Sequence, residues 1–234
     1  QEALRYGAQK IDINFGCPAP TVNRHQGGSI LLREPQRIEN IVATVRKALP
    51  ANIPLSAKMR LGYEDKSLAL DCAQAIEQGG ACEVTVHART KLEGYEPPAH
   101  WIHIRHIREA LRIPVIANGD VFCLDDFVAI KHETGCDSVM LGRGAVRRPD
   151  LARQFMCYEA GEQIAAMDWA EVMDWVRVFF EVCCDKAGDT KYPMARLKQW
   201  LGMMKFVFLE AAVLFEVIRP LKLNPDIATA LKAS

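Results

Sequence analysis

Asn14-Phe15-Gly16-Cys17-Pro18 sets one thiol between a glycine and a proline, just past a β-prone run. Proline fixes the backbone and glycine permits an unusual turn, so Cys17 is presented rigidly instead of packing into a core. Such a thiol could serve as nucleophile, metal ligand or proton donor. No ligand partners are spaced for a metal, and no nearby histidine is placed by sequence to make a thiolate. A positioned general acid remains, and a free thiol holds its proton at neutral pH. Further along, Lys58 interrupts the apolar run "SAKMRLG" and His87 the run "TVHART". A buried ammonium is costly without an electron-rich partner, so Lys58 points either to such a ligand or to an ion pair with a neighbouring strand's carboxylate. A lone strand histidine is more often a satisfied core residue, but His87 lies one strand from Lys58. Asn118-Gly119-Asp120 and Gly142-Arg143-Gly144 end two consecutive strand-like runs. Taken singly these are tight turns as readily as phosphate cradles; in succession they favour backbone N–H groups holding a phosphate.

The elements that must position these residues alternate. "IDINF" (11–15) precedes an amphipathic helix at 34–49, "IPLSAKMRLG" (53–62) a helix at 66–80, and "CEVTVHART" (82–90) a helix near 101–112. "IPVIANGD" (113–120) precedes a helix at 123–134, and "CDSVMLGRG" (136–144) a helix near 149–158. Five strand-plus-helix units predict a parallel sheet with helical crossovers, either doubly wound or part of a barrel. Asn14, Cys17, Lys58, Arg60, His87, Arg89, Asn118, Asp120 and Arg143 all fall where a strand gives way to its loop. That placement suits the C-terminal face of a (β/α)8 TIM barrel. Five units do not close eight strands, and "QEALRYGAQ" reads as the end of a helix. The expectation is therefore an α/β TIM-barrel domain at 1–146, N-terminally truncated by roughly three units. From 147 to 234 the pattern becomes helical, with segments at 169–188, 193–207, 209–221 and 225–233, which predicts an appended all-helical domain.

Composition narrows the partners. Among 234 residues, 29 Lys and Arg balance 29 Asp and Glu. No global field draws the chain to nucleic acid or an anionic membrane, so a polyanion must meet a local patch. Such a patch exists between Lys186 and Lys205, where Lys186, Lys191, Arg196, Lys198 and Lys205 face a single acid, Asp189. It is either a solvated face or a backbone-phosphate contact. No apolar run reaches membrane-spanning length and no leader pattern opens at Gln1. A cytoplasmic protein without a membrane partner is expected, acting as a monomer. The eight cysteines show no C-x-x-C and no zinc spacing, so no metal is expected.

"IDINFGCPAPTVNRHQGGSILL", "AKMRLG", "VHARTKLEGY", "PVIANGDV" and "MLGRGA", in this order and followed by helices, resemble the tRNA-dihydrouridine synthase family over essentially the whole chain. The "ARLKQWL" block resembles most the bacterial branch acting on uridine 16 of the D-loop. The resemblance implies FMN in the barrel mouth, reduced by NADPH, and reduction of the C5=C6 bond of a tRNA uridine. It makes Cys17 the acid that protonates C5, and Asn14 a partner of the uracil edge of a base that has left its stack. It assigns Lys58 and His87 to the flavin, and Asn118, Gly119, Asp120, Gly142 and Arg143 to the surroundings of the ribityl phosphate. Arg196, Lys198 and Arg219 become tRNA backbone contacts, and Tyr95 a contact near the flipped base. "NRHQGG" departs from the smaller glycine-rich loop usual there and leaves the role of His25 open.

Two other readings predict different experiments. A flavin barrel reducing a free small molecule would not need residues 147–234. A catalytically silent tRNA-binding protein would be colourless and indifferent to FMN.

Overall fold

The computed structural model describes residues 2–163 and 165–233. After a short helix α1 (Glu2–Arg5), β1 (Ile11–Asn14) leads through α2 (Pro20–Arg24) and a 3-10 segment (Gly28–Arg33) into α3 (Pro35–Ala48). β2 (Leu55–Arg60) leads to α4 (Ala69–Gln78), β3 (Glu83–His87) to α5 (Ile102–Ala110), and β4 (Val115–Asn118) to α6 (Leu124–Thr134). β5 (Ser138–Met140) is followed by helices alone: α7 (Arg143–Arg147), α8 (Leu151–Glu159), α9 (Trp169–Ala187), α10 (Tyr192–Met204), α11 (Leu209–Ile218) and α12 (Asn224–Ala233). The helical fragment expected at the N-terminus is seen as α1; Gln1 lies outside the described residues.

The five strands are all parallel and hydrogen-bond in sequence order, β1-β2-β3-β4-β5. A doubly wound sheet reverses its order at a switch point, whereas each strand here is laid beside the one before, as in a TIM barrel. Alternation along the strands sorts the side chains between two faces. Ile13, Ala57, Val84, Val115 and their same-face neighbours Leu55, Met59, Val86 and Ala117 form one apolar face. Leu55, Ala57, Met59, Val84, Val86 and Ala117 are wholly buried, as are Ile38 and Val42 of α3, Ile76 of α4 and Ile104 of α5. Burial of each large aliphatic side chain contributes roughly 1.5–3 kcal/mol, so this face carries most of the sheet's stability. α3 and α4 pack so closely that a Cβ on Gly79 would stand 2.6 Å from that of Val42.

The opposite face is polar. Asn14 lies opposite Lys58, Lys58 opposite Thr85, Arg60 opposite His87, and His87 opposite Asn118. In a sheet covered by helices on both sides this row would be apolar.

Contacts divide the chain into two compact units, Gln1–Val121 with Asp125–Leu141, and Phe122–Leu124 with Gly142–Ser234. In the second unit Asp168 caps α9 through a reciprocal capping box with Glu171, which satisfies backbone donors at the helix start. Val176, Phe180, Leu197, Leu201, Met204, Leu214, Ile218 and Ile227 form its buried core. Among the described residues no helix is long and apolar enough to cross a membrane.

Candidate active site

Cys17 stands three residues beyond the end of β1, half-buried, and the loop behind it is built around its backbone. The Cys17 carbonyl accepts hydrogen bonds from Asn23 Nδ2 at 3.0 Å and from the Ser29 amide at 3.0 Å. Asn23 also donates to the Ala19 carbonyl, while its Oδ1 accepts from Ser29 Oγ and from the Ile30 amide at 2.7 Å. One buried amide thus closes residues 17–30 on themselves. Gly28 makes this possible: its φ is +64°, and a Cβ there would stand 2.7 Å from the Cys17 carbonyl oxygen. Gly28→Ala is therefore expected to displace the Cys17 loop and lower turnover by tenfold or more while leaving the far-UV circular dichroism of the fold intact. Parent-like turnover in that variant would show that the loop tolerates the shift.

The other cysteines differ in kind. Burial pushes the Cys72 thiol up to about 12 and raises Cys136 as well, so both act as small hydrophobes. Among the described residues no group of His, Cys, Asp and Glu could hold a metal ion.

On the polar face, Lys58 is held down to about 8 by burial and then by repulsion from Arg60. Among the described residues no carboxylate comes within salt-bridge distance of it, although Asp12 on the neighbouring strand β1 attracts its charge and acts to raise its value. His87 is pushed down to about 4, by burial first and by Arg60 and Lys58 next, and is neutral at pH 7. Its Nδ1 lies 3.0 Å from Asn118 Oδ1, and Asn118 Nδ2 donates to the Met140 carbonyl at 2.7 Å. Because the Asn118 amide is oriented by Met140, its oxygen faces the imidazole. Nδ1 then carries the proton, and Nε2 is a bare acceptor. That Nε2 is buried without a hydrogen-bond partner. An orphaned acceptor and an ammonium without a close salt bridge on one sheet face fit an electron-rich heterocycle with a ring N–H, which is the character of a flavin.

Asn14 uses Oδ1 to hold the Gly16 amide at 2.9 Å, which leaves its amide donors for a ligand. Tyr95, about half exposed, lies 6.3 Å from the His87 ring between centroids. Asp120 sits at φ +53° and pairs with the wholly buried Arg89. Gly119 accepts a hydrogen bond from the Trp101 indole at 2.8 Å. Asn118, Gly119 and Asp120 belong to the first compact unit, and Gly142 and Arg143 to the second. There Gly142 caps α7, and the Arg143 guanidinium lies 5.6 Å from the Phe122 ring centroid.

The basic helical residues separate. Arg196 and Arg219 are exposed, bonded to Gln199 and paired with Glu216 respectively. Lys198 donates to the carbonyls of Arg219 and Leu221 at 2.9 and 2.6 Å, so it completes the C-terminal end of α11. His25 is exposed at the end of α2.

Two residues central to the architecture were not singled out from sequence. Asn23 carried a faint signal, a short polar side chain six residues before a serine in a turn-rich stretch. Arg60 stood among the polar strand ends without a role. Its guanidinium donates to the carbonyls of Gly16 at 3.1 Å and of Thr90 and Gly94 at 2.9 Å, and lies 5.1 Å from the Tyr95 ring centroid. It ties the Cys17 loop to the Tyr95 loop.

A family model described as "Dihydrouridine synthase (Dus)" matches residues 1–213. The chain is 63% identical over 232 residues to a tRNA-dihydrouridine(16) synthase of Neisseria meningitidis serogroup A, spanning 99% of this chain and 70% of that one. It is 47% identical over 217 residues to the tRNA-dihydrouridine(16) synthase of Pseudomonas syringae pv. tomato, spanning 93% and 68%. It is 41% identical over 230 residues to that of Shewanella oneidensis, spanning 98% and 71%. A match over almost all its length, on strands that line up the motif residues along one polar face, places this chain in the dihydrouridine synthase family.

Proposed function

We propose that this chain reduces the C5=C6 bond of a uridine in tRNA, at position 16 of the D-loop, to 5,6-dihydrouridine in the cytoplasm. The observation that carries the reading is the thiol of Cys17, presented past the end of β1 beside a polar face on which, among the described residues, His87 Nε2 has no hydrogen-bond partner and the Lys58 ammonium only the longer-range attraction of Asp12. FMN, reduced by NADPH, would supply a hydride to C6 of the base when bound. Lys58 would face the electron-rich side of the ring system and His87 a ring N–H. Asn118, Gly119 and Asp120 would hold the ribityl phosphate end.

The chain's own residues complete the reaction. Asn14 holds the edge of the flipped uracil with its amide N–H groups. Hydride at C6 leaves an electron pair at C5 conjugated to the C4 carbonyl, and Cys17 gives its proton to C5, becoming a thiolate that solvent reprotonates. The sum consumes one NADPH and one proton per uridine. Residues 1–146 would carry this chemistry. Residues 147–234 would hold the tRNA backbone through Arg196 and Arg219, with Lys198 shaping the same surface, and the enzyme acts as a monomer without metal.

The test supplies the full chain with FMN, NADPH and tRNA that lacks dihydrouridine. One dihydrouridine per tRNA, at position 16 and matched by NADPH oxidation, is expected. NADPH consumption with free uridine but not with tRNA would instead mark a small-molecule reductase. tRNA binding by protein that neither binds FMN nor quenches its fluorescence would mark a silent binder.

Lys58 gives this reading a pH dependence separate from turnover. Its folded-state value lies below that of a free lysine, so the unfolded chain binds the proton more tightly. Below about 8 the buried ammonium destabilises the fold, and this penalty is relieved as pH rises from about 8 towards 10.5. A ligand that favours the ammonium should then bind best below about 8 and weaken above it. Lys58→Met should abolish that pH dependence in FMN fluorescence titrations, and at pH 7 it should raise the melting temperature of the ligand-free chain, on the order of 2–4 °C per kcal/mol recovered. A variant less stable than the parent at pH 7 would show that the ammonium is already satisfied.

A further inference from the structure

Beside the Cys17 loop, a cleft of about 300 Å³ lies among residues that the reaction as proposed does not use. Pro18, Pro20 and Arg24 contribute from the segment after β1, Tyr63 from the loop after β2, and Lys91 from the loop after β3. Three successive loops at the C-terminal ends of three adjacent strands thus build it, on the same end of the sheet as Cys17. The lining contains two cations and no carboxylate, and among the described residues neither Arg24 nor Lys91 has an acidic partner. The Arg33–Glu64 pair stands alongside, its guanidinium 4.3 Å from the Tyr63 ring centroid.

The cleft is held in shape. The Lys91 amide donates to the Gly62 carbonyl at 2.9 Å, and the Leu92 amide to the Tyr63 carbonyl at 3.1 Å, which locks the second loop to the third. Gly62, at φ +150°, admits no side chain: a Cβ would overlap the Asp65 carbonyl at 1.9 Å. The Lys91 ammonium lies 4.8 Å from the Tyr63 ring centroid, so the ring orients one of the cations. Pro18, Pro20, Asn23 and Arg24 line the cleft from the segment that presents Cys17, and Asn23 clamps that segment through the Cys17 carbonyl.

We propose that this cleft is an RNA subsite for the nucleotide adjoining the target uridine. Arg24 and Lys91 hold its phosphate, and its sugar and base lie against Pro18, Pro20 and Ile30. The inference rests on the tRNA reading above and adds a substrate contact in the sheet-bearing unit. A cleft lined by the segment that carries Cys17, offering cations without counter-charge, an apolar wall and room for little more than a nucleotide, matches single-stranded RNA in chemistry. A flipped uridine brings its neighbouring backbone with it. Phosphate contacts of this kind set register and affinity, not chemistry.

The experiment measures tRNA affinity of the full chain across a salt series, for the parent, Arg24→Gln, Lys91→Gln, the double variant and Lys47→Gln, a remote cation on α3. Each single variant is expected to bind roughly three- to tenfold more weakly at 0.1 M salt, and to lower the slope of log affinity against log salt by about 1. KM for tRNA should rise while kcat at saturating tRNA holds, and Lys47→Gln should match the parent. Arg24→Glu with Lys91→Glu should enlarge the loss in a protein of unchanged circular dichroism. A double variant with parent affinity and slope, in a parent that forms dihydrouridine, would overturn the subsite and leave the uridine-reduction reading standing. Weakened NADPH binding with unchanged tRNA binding would also overturn it and assign the cleft to the reductant. A parent chain that does not bind tRNA at all would bring down both readings.

Discussion

Replacing Cys17 by alanine is expected to lower dihydrouridine formation by roughly 10²- to 10⁴-fold while tRNA affinity stays within about twofold. The substitution isolates the thiol, because the bonds that shape the loop are made to the Cys17 carbonyl by Asn23 and Ser29 and survive any side-chain change. Serine should rescue little. A hydroxyl is a far weaker acid than a thiol, and protonation at C5 must coincide with arrival of hydride at C6. Quantifying nucleosides from digested tRNA under single-turnover conditions checks this directly. An alanine variant working at the parent rate would remove Cys17 from the chemistry and leave solvent as the proton source.

Arg60→Met is expected to cause the largest combined loss. Arg60 is almost wholly buried, and its removal leaves the carbonyls of Gly16, Thr90 and Gly94 without their donor. Each orphaned buried group costs about 1–3 kcal/mol, so a destabilisation of about 3 kcal/mol or more and a melting temperature lowered by roughly 10 °C are expected. Turnover should fall further than stability explains. Gly16 adjoins Cys17 and Gly94 adjoins Tyr95, so both loops lose their common anchor, and misplacement by about 1 Å can cost 10²-fold. Lysine should rescue poorly, since a single ammonium does not reproduce the planar fork that reaches three carbonyls. The contrast with Lys58→Met is diagnostic: two neighbouring cations on one strand face, one expected to stabilise when replaced and the other to destabilise. Calorimetry that moved both variants in the same direction would refute the distinction between a cation without a close salt bridge and a fully bonded one.

Much of the architecture was legible in local pattern. The five strands and the helices at 34–49, 66–80, 101–112 and 123–134 follow from apolar periodicity and stop signals, and the observed elements fall within those ranges. The four helical segments expected after 168 are likewise seen at Trp169–Ala187, Tyr192–Met204, Leu209–Ile218 and Asn224–Ala233. Short elements escaped. α2, the 3-10 segment at Gly28–Arg33 and α7 are too brief to show a period, and the hydrogen bonds that define them depend on Asn23, Gly28 and Gly142 in their settings. "NRHQGG" read as a departure from family habit; folded, its Asn23 is the buried clamp of the Cys17 loop and its His25 is a solvent-facing helix end.

The residue types at the strand ends were determined by sequence alone: a thiol locked between glycine and proline, a lysine and a histidine within apolar strands, and glycines at consecutive turns. These are local facts, set by chain chemistry and period-two alternation. Which of them share a face, and which lack partners, was decided only by tertiary structure. Register sets Arg60, not Lys58, opposite His87, and Asn118 fixes which imidazole nitrogen is bare. Arg60 becomes a clamp because carbonyls distant in sequence meet it, and Lys198 a helix end because the residues after α11 return to it. Satisfaction of a buried polar group is a property of its surroundings in space. No window of sequence contains those surroundings.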